Sequence, residues 1–96
     1  MKVRLSPSAL ADIEDALKHI ATRSPQGARN VRARFQAVFD LLAQHPKIGT
    51  QTSQATIRRM TTAPYPYLIF YEPTVDEIII HAVRHSARDP FGLPGT

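Results

Sequence analysis

No cysteine occurs among the 96 residues. That excludes a disulfide framework, a thiolate metal site and a thiol nucleophile, and it fits a reducing compartment. No apolar run approaches the roughly 20 residues needed to span a bilayer. The N-terminus also lacks the basic-then-apolar order of a signal peptide. A soluble cytoplasmic protein with no membrane partner is expected. Glycine is scarce at four residues, and none forms a phosphate-binding loop or a Gly-x-Ser-x-Gly elbow. No carboxylate pair is spaced for acid–base work. The histidines (His19, His45, His81, His85) have no ligand spacing except the His81/His85 pair, and on a strand that separation is too wide to share an ion. Neither a metal nor a cofactor is expected.

What is present suits one domain spanning residues 1–96. A chain of this length buries roughly 60–65% of the surface its unfolded form exposes, enough for one modest core. The formal charge is +4. Lys2, Lys18 and Lys47 are the lysines and every other base is arginine, whose planar guanidinium suits bidentate capture of carboxylate or phosphate. An acidic partner (RNA, DNA or an acidic polypeptide) fits this balance, and so does a charge that only maintains solubility.

Along the chain, Lys2–Ser6 alternates polar and apolar side chains, the period of a short half-buried strand. Ser6 followed by Pro7 is a helix-start signal. Leu10, Ile13, Leu17 and Ile20, widened by Ala9 and Ala16, then trace one face of an amphipathic helix. Asp12, Glu14 and Asp15 precede Lys18, His19 and Arg23, the order that complements the helix dipole. Ser24-Pro25 repeats the start signal. The second helix carries Ala28, Val31, Phe35, Val38 and Leu42 on its apolar face and ends at Pro46, with Gly49 permitting the loop to turn. Residues 48–55 show no period and read as a loop. Residues 56–62 form a β-competent run in which Ile57, Arg59 and Thr61 oppose Arg58, Met60 and Thr62.

The last third carries two runs rich in aromatic and β-branched residues, Tyr67–Tyr71 and Ile78–Val83, joined through Pro73 and Asp76: an antiparallel hairpin in mid-sheet. The predicted fold is α+β, in the order β-α-α-β-β-β. Its two-helix hairpin packs on one face of a mostly antiparallel four-stranded sheet. The middle strands are bulky on both faces, so the second face should not be simply solvated.

The hairpin ends in His81, Arg84, His85 and Arg88, and strand periodicity places His81 and His85 on one face and Arg84 on the other. Hydrolysis of a phosphodiester would want several cations around the pentavalent centre and one group to move a proton, and Arg58, Arg59, Arg84, His85 and Arg88 are the candidates. In an antiparallel meander, however, Arg58 and Arg84 fall toward opposite ends of the sheet. The competing reading is structural: an Arg88–Asp89 ion pair, and a His85 that donates to the backbone. Tyr65, Tyr67 and Tyr71 alternate along one strand, as a base-stacking platform or as core and rim packing.

Pro46-Lys-Ile-Gly49, Arg59 followed by Tyr67-Leu-Ile-Phe-Tyr71, and His85-x-x-Arg88-Asp89, in this order of elements, together resemble the RelE/ParE superfamily of toxins from type II toxin–antitoxin systems. The resemblance spans nearly the whole chain. It implies a small basic toxin neutralised by a cognate antitoxin whose acidic or amphipathic C-terminal segment wraps the toxin. RelE-like members cut mRNA on the ribosome, and in that case Arg59, Arg84, His85 and Arg88 would be the catalytic set. ParE-like members inhibit DNA gyrase without catalysis. This chain has no Lys on its second strand, and its last aromatic is Phe91, which cannot transfer a proton. The resemblance therefore leans to the ParE-like branch, with Arg59, Tyr67, Tyr71, Arg84, His85 and Arg88 as target-binding residues.

Overall fold

Both serine–proline signals start helices. In the computed structural model, which describes residues 1–87, the Ser6 hydroxyl accepts from the Ala9 N–H at 3.0 Å and opens α1 (Pro7–Ala21). Ser24 does the same for Gly27 at 2.9 Å and opens α2 (Pro25–Gln44). Each cap satisfies a backbone donor that the first helical turn leaves without a partner. The α2 stripe is buried as its spacing predicts, from Val31 through Phe35 and Val38 to Leu42, with Phe39 alongside. In α1 the stripe is rotated toward its small residues. Ala9 is fully buried whereas Leu10 is 46% exposed, so the helix approaches the sheet on its alanine side.

The sheet has five strands, not four. In chain order they are β1 (Lys2–Leu5), β2 (Thr50–Gln51), β3 (Arg58–Thr61), β4 (Tyr67–Pro73) and β5 (Glu77–His85), arranged β1-β5-β4-β3-β2. The additional strand, β2, lies in the segment expected to be loop. It is two exposed residues held by backbone pairing of Thr50 with Arg59 and Gln51 with Arg58. Such a strand needs no side-chain period, which is why alternation does not reveal it. The β2–β5 neighbours are all antiparallel, while β1 runs parallel to β5 from Lys2/Glu77 to Leu5/Ile80.

Two apolar layers result. On the helix side, Tyr67, Ile69, Tyr71, Ile78, Ile80 and Val83 pack with the helical stripe. On the outer side, Phe70, Ile57 and Ala82 form a second, smaller cluster with Leu68 against it. The expectation that the outer face is not simply solvated is met by the full burial of Phe70.

The register of β4 against β5 slips between Phe70 and Tyr71: Phe70 faces Ala82, but Tyr71 faces Ile80. The extra residue is His81. A bulge of this kind interrupts the two-residue period, so His81 leaves the face of Val83 and His85. It meets Glu72 instead, its Nε2 lying 2.8 Å from the carboxylate. The shared face expected for His81 and His85 is thereby corrected.

Candidate functional site

β1 ends at Leu5, and from there β5 has an open edge. Three side-chain or turn contacts fill it. The Ser6 N–H donates to the Ile80 carbonyl at 3.0 Å, and the Ser6 hydroxyl donates to the His81 carbonyl at 3.2 Å. One residue pair further on, the Val83 N–H donates to Asp12 Oδ2 at 3.0 Å. The same oxygen accepts from Arg84 Nη1 at 3.0 Å. By register Arg84 stands opposite Leu68 on the outer face, so its side chain leans over the strand edge to reach α1. Asp12 thus closes the edge and fixes Arg84 together, a buried-side acid whose partners lie some seventy residues away in sequence.

Sequence reasoning did not anticipate Asp12. Its signal was present: it lies three residues after Ala9 and four before Ala16, on the small-residue side by which α1 approaches the sheet.

Beyond Arg84, His85 packs edge-on to Tyr67, with ring centroids 5.3 Å apart and planes at 85°. Tyr67 in turn packs edge-on to Phe35 of α2 at 5.5 Å. This aromatic ladder leads from the core to the surface. His85 Nδ1 accepts from the Ala87 N–H at 3.1 Å, bending the chain as the strand ends. His19, Tyr67 and His85 line two adjoining depressions. One, of about 170 Å³, runs toward Asp12 and Asp15. The other, of about 340 Å³, runs under the helical hairpin past Arg23 and Tyr65. His19, Arg23 and Asp15 join the candidate site here; in sequence they lie on the helix and carry no motif.

The remaining predicted residues lie elsewhere. Arg59 pairs with Phe70 in the sheet and so belongs to the outer face, half-buried beside the smaller cluster. Tyr71 is fully buried, and its ordinary pKa is pushed up by burial, partly offset by its hydrogen bond from Gly49 and the nearby Arg58 charge. Its hydroxyl accepts from the Gly49 N–H and donates to the Pro46 carbonyl, both at 2.9 Å. Arg58, its cross-strand neighbour, donates to the Gly49 and Lys47 carbonyls at 2.8 and 3.2 Å. The pair ties down the whole Pro46–Gly49 turn. A side chain at Gly49 would have its Cβ 2.6 Å from the Tyr71 hydroxyl and 2.8 Å from the Arg59 carbonyl oxygen, so the glycine is required by close approach.

The six target-binding candidates therefore do not form one cluster. Tyr67, Arg84 and His85 gather at the end of β5, Arg59 is on the other face, Tyr71 is interior, and Arg88 with Asp89 lies outside the described residues. Among the described residues no group of three or more His, Cys, Asp or Glu side chains is arranged to hold a metal ion. No helix there is long and apolar enough to cross a membrane.

Comparison with known proteins agrees with this architecture. A chain of the chromosomal ParDE TA system from P. aeruginosa is similar in fold, with a TM-score of 0.77 at 17% identity over 88% of this chain and 95% of that one. No curated protein sequence matches significantly. The model of the ParE toxin of the type II toxin–antitoxin system, parDE, matches residues 3–90. With nearly its whole length accounted for, the chain belongs to the ParE toxin family of type II toxin–antitoxin systems.

Proposed function

We propose that this type II toxin acts by inhibiting DNA gyrase and is held inactive by a cognate antitoxin. The family match over residues 3–90 carries the reading. The site geometry supports a binding mode over catalysis. A ribosome-dependent nuclease would draw on Arg59, Arg84, His85 and Arg88 around one phosphodiester, since the cations and the proton-moving group must meet the same atoms. In this fold Arg59 belongs to the outer face, while His85 packs with Tyr67 on the helix side.

The target-binding surface in this reading is the end of β5, with Tyr67, Arg84, His85 and Arg88 as its contacts and His19 and Arg23 at its border. Arg59 would add a contact only for a partner that also reaches the outer face. The antitoxin is assigned a different surface. At the far end of α2 an apolar groove of about 850 Å³ is lined by Met1, Leu41, Pro46, Ile48 and Pro73 among others. Met1 and Ile48 there are 43% and 49% exposed, an apolar patch suited to the nonpolar face of an amphipathic segment.

Induction of the protein in cells, with parallel assays for covalent gyrase–DNA complexes and for cut transcripts, tests the proposal. Accumulating gyrase–DNA complexes with intact mRNA are expected. Cleaved transcripts with unaffected gyrase would replace the inhibitor by the nuclease.

A further inference from the structure

Arg84 and His85 are consecutive on β5, so strand geometry sends their side chains to opposite faces. The register agrees: His85 pairs with Tyr67, whose ring it meets on the helix side, whereas Arg84 pairs with Leu68 of the outer layer. A partner approaching either face alone would meet only one of the two. Asp12 changes that. Its Oδ2 accepts from Arg84 Nη1 at 3.0 Å and draws the guanidinium over the strand edge toward α1. Asp12 also lines the depression of about 170 Å³ that His19, Tyr67 and His85 border. The arginine is thereby held at the rim of that depression, and two side chains from opposite faces reach one side of the molecule.

Closing the edge of β5 does not by itself require a carboxylate. The Val83 N–H needs one acceptor, and a neutral asparagine oxygen would supply it. The charge is also unfavourable to bury: the Asp12 side chain is only 19% exposed, and a carboxylate drawn out of water needs a partner to offset the loss of hydration. What a carboxylate adds over an amide is a charge-assisted grip on an arginine. An arginine fixed before binding costs a complex less ordering entropy than one immobilised on contact. We propose that Asp12 is a positioning residue of the target-binding surface, fixing Arg84 beside His85 and Tyr67 so that all three meet one partner. Asp12 acts through Arg84 and not on the target itself. This rests on the end of β5 being the target-binding surface, but not on which target binds there.

The test compares the full chain as wild type, D12N, D12E, R84Q and D12N/R84Q in two readouts. The first is the NMR signal of the Arg84 Nε–H, assigned by its loss in R84Q. It should be resolved in wild type and D12E, and merge with the signals of the solvated arginines in D12N. The second is the inducer level that half-arrests growth, with toxin abundance measured alongside. R84Q and D12N should each need about tenfold more toxin than wild type, the order expected from losing or unfixing one arginine contact. D12E should recover most of that loss. The double variant should be no weaker a toxin than R84Q, because the two changes remove the same contact, yet it should melt below R84Q because the Val83 N–H has lost its carboxylate.

D12N that arrests growth like wild type while R84Q does not overturns the proposal and leaves the surface standing, with Asp12 purely structural. An Arg84 signal unchanged in D12N also overturns it, as does D12E that keeps the signal but is as weak a toxin as D12N. A double variant about tenfold weaker than R84Q does the same, since Asp12 would then act by a route other than Arg84. If R84Q is itself as toxic as wild type, the end of β5 is not the target-binding surface, and the proposal falls with that reading.

Discussion

Tyr67 and Tyr71 stand four residues apart on the same face of β4, and they have opposite fates. Tyr71 lies under the turn that follows α2, where both hydrogen-bonding functions of its hydroxyl are used by Pro46 and Gly49. Tyr67 lies at the other end of the strand, where its ring bridges Phe35 and His85 and borders two depressions. One residue type on one strand face thus closes the fold at one end and meets the surface at the other. Strand period tells which face a tyrosine occupies, but not which end of the sheet a loop will cover.

If the Tyr71 end is purely structural, changes there should be the most destabilising. Gly49→Ala places a methyl group against the Tyr71 hydroxyl and a backbone carbonyl. Overpacking of this kind should cost about 3 kcal/mol in urea unfolding. Tyr71→Phe removes the partner of the Gly49 N–H and of the Pro46 carbonyl, and should cost about 2 kcal/mol. A variant at either position that unfolds like wild type would show that the turn is not held by this contact.

The same residue gives the comparison a pH signature. Burial raises the Tyr71 pKa above its ordinary value of 10.0. The native state therefore holds the phenolic proton more tightly than the unfolded chain, and the stability from this group is fully present below about pH 10. It is lost as pH rises from there through the folded-state value. The stability gap between wild type and Tyr71→Phe should shrink above about pH 10 in urea titrations run from pH 8 to 11. A gap that stays constant would place the titration elsewhere.

The edge of β5 should respond next. Asp12→Ala leaves the Val83 N–H and the Arg84 guanidinium without their shared acceptor, which should lower stability by about 2 kcal/mol. Asp12→Asn, which retains one carbonyl acceptor, should recover about half. Equal losses for both would mean that the charge, not the edge hydrogen bond, is the important feature.

What the sequence reveals follows the same division. The two helices, their serine caps and the four strands other than β2 are legible because each has a local period or stop signal. The sequence order of elements was also legible, and with it the α+β class. β2 was not, because two exposed residues paired through backbone carry no pattern. The bulge at His81 was hidden too, since a one-residue insertion leaves composition unchanged while shifting every later side chain. Asp12 and Tyr71 depend on contacts separated by 71 and 22 residues, and neither their burial nor their partners can be read from local pattern. The candidate site was half legible: Arg84 and His85 announce themselves as polar residues ending an apolar strand, whereas His19 and Arg23 become neighbours only once the hairpin folds over.

The smallest effect on stability should come from His85→Ala, and it is the sharpest test of the open end. Losing the edge-to-face contact with Tyr67 and the exposed hydrogen bond from the Ala87 N–H should cost about 1 kcal/mol, below the Tyr71 changes. If the end of β5 meets the target, toxicity on induction should nevertheless fall while antitoxin binding by the purified protein is unchanged. Ile48→Glu in the apolar groove should do the reverse, weakening antitoxin binding and leaving toxicity intact. These two variants change surfaces at opposite ends of the fold, so a shared fall in stability cannot produce both patterns. If His85→Ala instead lowers antitoxin affinity and spares toxicity, the two surfaces have been assigned the wrong way round. Tyr67 would then border the antitoxin's seat, and the target would have to be sought at the groove beside the turn that Tyr71 holds.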